Sequence, residues 1–163
     1  MSEITSALKV HSLVCHKHVD MALACLGSLL RYSAEPLHIY LHDDGSLRIE
    51  DKDRLSEGLN NAKIILRSEA DELINQRLRN YPNAAKYRYE HALALKLLDI
   101  PLLEERDIAY CDSDILFFKP FSRLFQLPNS ETSSIFMMDK WESYSIRPWH
   151  LLGSNRLKLP SKV

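Results

Sequence analysis

Two aspartates one residue apart, Asp112 and Asp114, stand inside an apolar run of the sequence and could bind a divalent cation. In an extended chain, residues i and i+2 point to the same side, so both carboxylates can reach one point. Such oxygen ligands suit Mg²⁺ or Mn²⁺, which proteins often share with substrate phosphates. Because burying unpaired carboxylates is costly, the apolar flanks predict that a cation or hydrogen-bond donors compensate them. The alternative is that one aspartate caps a turn and the other is solvated.

Three further polar groups could contact a ligand. The turn Asp43-Asp44-Gly45-Ser46 combines carboxylate acceptors with a glycine that permits close backbone approach, although an ordinary Asx turn has the same composition. Lys96 interrupts an apolar helical stretch and could serve a phosphate as a point charge, unless its stem lies on apolar surface with the ammonium in solvent. Arg88 lies on the same face of the expected helix. A basic cluster occupies residues 16–18.

Short apolar runs alternate with helical patterns along the chain, which predicts a mostly parallel α/β sheet with helices on both faces. The polar groups follow the first, second and fourth expected strands, and ligands of such sheets bind beyond the carboxyl ends of the strands. Ser68 is expected to cap the third helix. The expected strands are 8–15, 37–42, 62–66, 107–112 and 133–138, and the expected helices are 19–32, 51–59, 68–80 and 84–98.

Length and composition bound the classes of function. The 163 residues suit one domain, and 21 basic against 22 acidic side chains give a net charge of −1, which disfavours a nucleic-acid partner. Three cysteines without a paired motif indicate neither a disulfide framework nor a zinc site and suit a reducing, cytoplasmic setting. We expect no signal peptide and no transmembrane segment, and peripheral attachment to a membrane is compatible with the sequence.

The stretch IAYCDSDILFFKPFSRLF resembles the metal-binding segment of GT-A fold glycosyltransferases, in the retaining branch that includes glycogenin and the bacterial lipopolysaccharide galactosyltransferases. The resemblance implies that Asp112 and Asp114 hold Mn²⁺ or Mg²⁺ on the diphosphate of a nucleotide sugar, with Ser113 beside the substrate. The turn at 43–46 is similar to the DDGS turn of the large inverting family, which implies that Asp43 or Asp44 contacts the base or ribose. The stretch 92–101 resembles a helix whose basic residue, here Lys96, faces the diphosphate.

The resemblance extends from about Leu8 to Asp139. It implies a single Rossmann-like GT-A domain over residues 1–163, comprising the nucleotide-sugar-binding part without the acceptor-binding part. The implied function is a metal-dependent glycosyltransferase, with a UDP-sugar favoured as donor and an acceptor that the sequence does not identify. The alternative is an inactive nucleotide-sugar-binding or partner-binding remnant. A phosphatase or nucleotidyl transferase is disfavoured because Asp-x-Asp follows the fourth strand and no glycine-rich loop follows the first.

Overall fold

Four parallel strands form one sheet in the order β3-β2-β1-β4, which confirms the predicted α/β class. The computed structural model describes residues 7–60, 62–105, 107–126 and 134. The arrangement is consistent with the first part of a Rossmann-like fold, because β2 and β3 extend the sheet on one side of β1 and β4 joins the other. The strands are β1 (Leu8–Val14), β2 (Leu37–Asp43), β3 (Lys63–Ile65) and β4 (Ala109–Tyr110).

Helices flank the sheet on both faces. A short 3₁₀ turn, His16–His18, leads into the first helix. Helix α5 packs against β1, and Glu104, which directly follows α5, pairs with Lys9 of that strand. The helices are α1 (Val19–Tyr32), α2 (Ile49–Gly58), α3 (Arg67–Arg77), α4 (Pro82–Glu90) and α5 (Ala94–Leu103).

The apolar core lies between the sheet and the first two helices. Alternate residues of β1 and β2 point to this face. They include Val10 and Val14 of β1 and Ile39 and Leu41 of β2, with Val10 directly beside Ile39. Leucines at helical spacing in α1, together with Leu55 of α2, cover them. Burial of these side chains is the main favourable contribution to folding on this face.

The opposite face of the sheet carries a buried pair of histidines. Nδ1 of His11 lies 2.9 Å from Nε2 of His42, and both residues are almost fully buried. Burial lowers the pKa of His42 to about 4, with a further lowering from His11, and burial also lowers the pKa of His11. Both rings are therefore neutral at pH 7, and one ring nitrogen donates a hydrogen bond to the other.

The α4–α5 region differs from the single helix predicted over 84–98. His91 has an extended backbone (φ −130°, ψ 111°), so α4 ends at Glu90 and α5 begins at Ala94. The break allows Arg88 to reach back to Asp99 with two hydrogen bonds of 2.6 Å, while its third nitrogen lies 2.7 Å from Asp71. The prediction that Arg88 shares a helix face with Lys96 was therefore wrong, because the two residues lie on different helices and Arg88 is buried in ion pairs.

Smaller differences concern the ends of elements. Helix α3 begins at Arg67 after the N-cap Leu66, whose N–H donates to the Glu69 carboxylate at 3.3 Å, so the cap predicted at Ser68 was wrong. Strand β4 has two residues, shorter than the predicted 107–112. The fifth strand predicted at 133–138 lies outside the described residues apart from Ser134.

Replacement of His42 by Gln should reduce the loss of stability in acid. Between pH 6.5 and about 4 the unfolded chain binds a proton on this histidine and the folded chain does not, so stability falls as the pH falls. We expect the free energy of unfolding to drop between pH 7.5 and 4.5 by about 1–3 kcal/mol less in His42→Gln than in the wild type. Urea unfolding at both pH values measures this. Equal drops in the two proteins would contradict it, and the exposed His18→Gln serves as control.

Replacement of Arg88 by Met should destabilise the fold strongly. It leaves the buried Asp99 carboxylate without its cation, which costs about 3–5 kcal/mol. Lys86→Met, at an exposed position of the same helix, should change stability by less than about 0.5 kcal/mol. Urea unfolding at pH 7.5 compares the two variants. Equal stabilities would show that the Arg88 ion pairs do not hold the helices together.

Candidate functional site

The carboxyl ends of β1, β2 and β4 meet at one edge of the sheet. The chain extends the sheet from β1 toward β3 and then returns to place β4 on the other side of β1, which is the topological position where ligands bind in such sheets. Two hydrogen bonds fasten the flanking loops to β1. Ser113 Oγ donates to the Leu13 carbonyl at 3.1 Å, and the Asp44 N–H donates to the Val14 carbonyl at 3.2 Å.

The first group of side chains, which we call the β4 cluster, comprises Lys96, Tyr110, Asp112, Ser113 and Asp114. Lys96, in the first turn of α5, forms an ion pair with Oδ1 of Asp112, and its ammonium lies 5.5 Å from the centre of the Tyr110 ring. The Tyr110 hydroxyl donates to the same oxygen at 2.9 Å. Burial, followed by the charge of Asp112, raises the pKa of Tyr110, so this phenol keeps its proton. Lys96 and Tyr110 therefore compensate Asp112, as expected, whereas the exposed Asp114 has no such partner among the described residues.

The two aspartates of the β4 cluster differ in their surroundings. Asp112 is partly exposed, and no hydrogen bond reaches its Oδ2 within the part of the chain that the structure describes. Asp114 is exposed, and it lies with Ser113 in a turn. The assumption that residues 112–114 are extended was therefore wrong.

The β4 cluster fits a cation that is shared with a ligand. Among the described residues, no three His, Cys, Asp or Glu side chains are grouped so as to hold a metal ion. Mg²⁺ is commonly bound through one or two carboxylates together with substrate phosphates and water. Asp112 and Asp114 could supply that number of carboxylates, while Lys96 adds a positive charge for a phosphate.

Cys111 lies directly before these aspartates and is almost fully buried. Burial, followed by the nearby charge of Asp112, raises the pKa of its thiol to about 12. A thiol with this pKa is protonated at neutral pH and is a weak nucleophile. Cys111 therefore belongs to the packing beneath the β4 cluster, as predicted for a small core residue.

The turn after β2 gives its two aspartates different tasks. Asp43 is buried, and its Oδ1 accepts hydrogen bonds from the N–H groups of Gly45 (2.8 Å) and Leu47 (3.1 Å). Asp44 is partly exposed and accepts from Ser46 through both N–H (2.9 Å) and Oγ (2.6 Å). Gly45 has φ +100°, which a side chain would strain. Asp43 shapes the turn, and Asp44 is the aspartate that faces solvent.

Asp44 lines an open cleft of about 390 Å³, which we call the β1–β2 cleft. Its lining joins the loop after β1 to the turn after β2 and includes two cations. The lining residues are Cys15, His16, Lys17, Asp44, Ser46 and Arg48.

Sequence reasoning missed two residues of this region, Arg48 and Asp51. Asp51 is buried, accepts from the Arg48 N–H at 2.9 Å as a helix cap, and lies 2.6 Å from Nδ1 of His16. A carboxylate three residues after an N-cap is a recognisable cap signal, but nothing local in the sequence indicates the contact of Asp51 with His16.

Arg67 connects the turn after β2 to the ion pairs of the helical layer. Its guanidinium donates to the carbonyl groups of Asp44 (3.3 Å) and Arg88 (3.4 Å) and pairs with Asp71 at 3.2 Å. Its stem also lies over Gly45, where an added Cβ would come 3.4 Å from Cγ of Arg67. The position of Asp44 therefore depends on the network around Arg88.

Comparison with known proteins yields no match to any family model, curated protein or solved structure. In the described part of the chain, no helix is both long and apolar enough to cross a bilayer.

Proposed function

We propose that this chain binds the diphosphate of a nucleotide sugar at the β4 cluster and acts as a metal-dependent glycosyltransferase. The observation that carries the proposal is the ion pair between Lys96 and Asp112 at the carboxyl edge beside β1. This ion pair lies just after β4, where α/β sheets bind ligands, and Asp114 follows two residues later in the chain. A diphosphate with a divalent cation has the complementary charges.

The roles follow from charge and exposure. Asp112 and Asp114 would hold Mg²⁺ or Mn²⁺, which would stabilise the negative charge of the leaving diphosphate. Lys96 can turn from Asp112 toward a bound phosphate, because its side chain is 31% exposed. There its ammonium stabilises the same developing charge. Ser113 is partly exposed and holds the loop on β1 through its hydrogen bond to the Leu13 carbonyl.

The nucleoside is proposed to occupy the β1–β2 cleft, on the other side of the β1 end. Asp44 is the aspartate of the turn that can accept from a base N–H or a ribose hydroxyl, since Asp43 is buried and bonded to the backbone. UDP is the favoured nucleotide by the family resemblance. We also propose a cytoplasmic setting, because the three cysteines are free thiols and such proteins are common in reducing compartments.

Calorimetric titration of UDP in the presence of Mn²⁺ tests the proposal. We expect saturable binding that EDTA abolishes, because the carboxylates and the diphosphate repel each other without the cation. Asp112→Asn and Asp114→Asn should each weaken binding by about tenfold or more, the equivalent of losing one charge-assisted interaction. Asp53→Asn, at an exposed aspartate of α2, is the matched control and should bind like the wild type.

A folded wild-type chain that does not bind UDP with or without Mn²⁺ would contradict the proposal. If Asp112→Asn and Asp114→Asn bind UDP as tightly as the wild type does, the binding site does not lie at the β4 cluster. Release of free sugar from UDP-sugars by the wild type, and its loss in Asp112→Asn, would support transfer chemistry. Binding without any turnover would instead support the nucleotide-sugar-binding module.

A further inference from the structure

The β1–β2 cleft contains a histidine that is oriented by a buried carboxylate. Nδ1 of His16 lies 2.6 Å from Oδ2 of Asp51, and the His16 side chain is 35% exposed at the cleft. No hydrogen bond reaches Nε2 of His16 within the described residues. The ring is held on one edge and open on the other.

The tautomer of the neutral His16 ring follows from the surroundings of Asp51. The Arg48 N–H, followed by the hydrogen bond from His16, holds the pKa of Asp51 below its usual value, so Asp51 is an anion at neutral pH. A carboxylate only accepts hydrogen bonds, so Nδ1 must carry the hydrogen. Nε2 of the neutral ring is then an acceptor.

The rest of the cleft supplies a second acceptor and two donors. Asp44 uses Oδ1 for Ser46, and no hydrogen bond reaches its Oδ2 within the described part of the chain. Lys17 and Arg48 are exposed cations on the two loops that border the cleft. Two acceptors with two cations match a vicinal diol, whose hydroxyls each donate one hydrogen bond and accept others.

We propose that His16 is the residue of the β1–β2 cleft that recognises a hydroxyl of a vicinal diol, and that Asp51 is its positioning residue. Nε2 of His16 accepts the hydrogen bond, and Asp51 fixes the tautomer and orientation that make this possible. With the nucleoside proposed in this cleft, the expected source of the diol is the ribose, and the sugar ring is the other source that the experiment distinguishes. This inference rests on the proposed function, which supplies the ligand.

Titration of UDP, 2′-deoxy-UDP and UDP-glucose in the presence of Mn²⁺ distinguishes the two sources of the diol. If His16 contacts the ribose, the wild type should bind UDP about 3–10 times more tightly than 2′-deoxy-UDP, the worth of one hydrogen bond. His16→Ala and Asp51→Asn should bring this ratio close to one. If His16 contacts the sugar ring, both variants should instead lower the affinity for UDP-glucose relative to UDP.

His18→Ala is the matched control, because His18 is exposed and does not line the cleft. It should keep the wild-type ratios. Unchanged ratios in His16→Ala, with UDP still bound, would overturn the inference and leave the proposed function standing. A wild-type chain that binds none of the three ligands would overturn both.

Nitrogen-15 NMR of the His16 ring tests the part assigned to Asp51 without any ligand. In the wild type the hydrogen should reside on Nδ1, and Asp51→Asn should shift the equilibrium toward the Nε2–H tautomer. Because a loss of helix α2 would also release His16 from Asp51, circular dichroism must show that Asp51→Asn keeps its helices. Residence of the hydrogen on Nε2 in the wild type would overturn the inference.

Discussion

The ion pairs of the buried Arg88 fix the part of the structure on which the candidate site depends. Arg88 joins α4 to α5 through Asp99 and to α3 through Asp71. Taking Arg88 and Asp99 out of water is costly unless they pair with good geometry, so packing of α4 on α5 must preserve this pair, while Asp71 stays partly exposed. Lys96, in the first turn of α5, reaches Asp112 just after β4, and Arg67 extends the network to the turn after β2.

Charged side chains lie at two places along the carboxyl edge of the sheet, one on each side of the end of β1. In the β4 cluster, Asp112 is balanced by Lys96 and Tyr110, while Asp114 faces solvent. In the β1–β2 cleft, Asp44 lies among cations and an oriented histidine. The β4 cluster suits the polyanionic part of a ligand, and the β1–β2 cleft suits a part that is rich in hydroxyl groups. A nucleotide sugar has both, and this complementarity underlies the proposed function.

Local pattern predicted much of the fold and only part of the site. Strands β1 and β2 and helix α1 are confirmed within about two residues, because alternation and helical spacing of apolar residues reflect the core that they build. The break between α4 and α5 could not be predicted, since it serves ion pairs made by distant residues. The contact of His16 with Asp51 spans 35 residues and has no local signal. Likewise, only the hydrogen bonds of the turn distinguish Asp43 from Asp44.

The central claim, that Lys96 and the two aspartates form one site for a cation with a diphosphate, is tested most directly by electron paramagnetic resonance titration of Mn²⁺ with and without UDP. We predict that UDP tightens Mn²⁺ binding by about tenfold or more in the wild type. In Lys96→Met, Mn²⁺ alone should bind more tightly than in the wild type, because Asp112 has lost its competing cation. UDP should then tighten Mn²⁺ binding by a smaller factor than in the wild type. Mn²⁺ affinity that is the same with and without UDP in the wild type would contradict the claim.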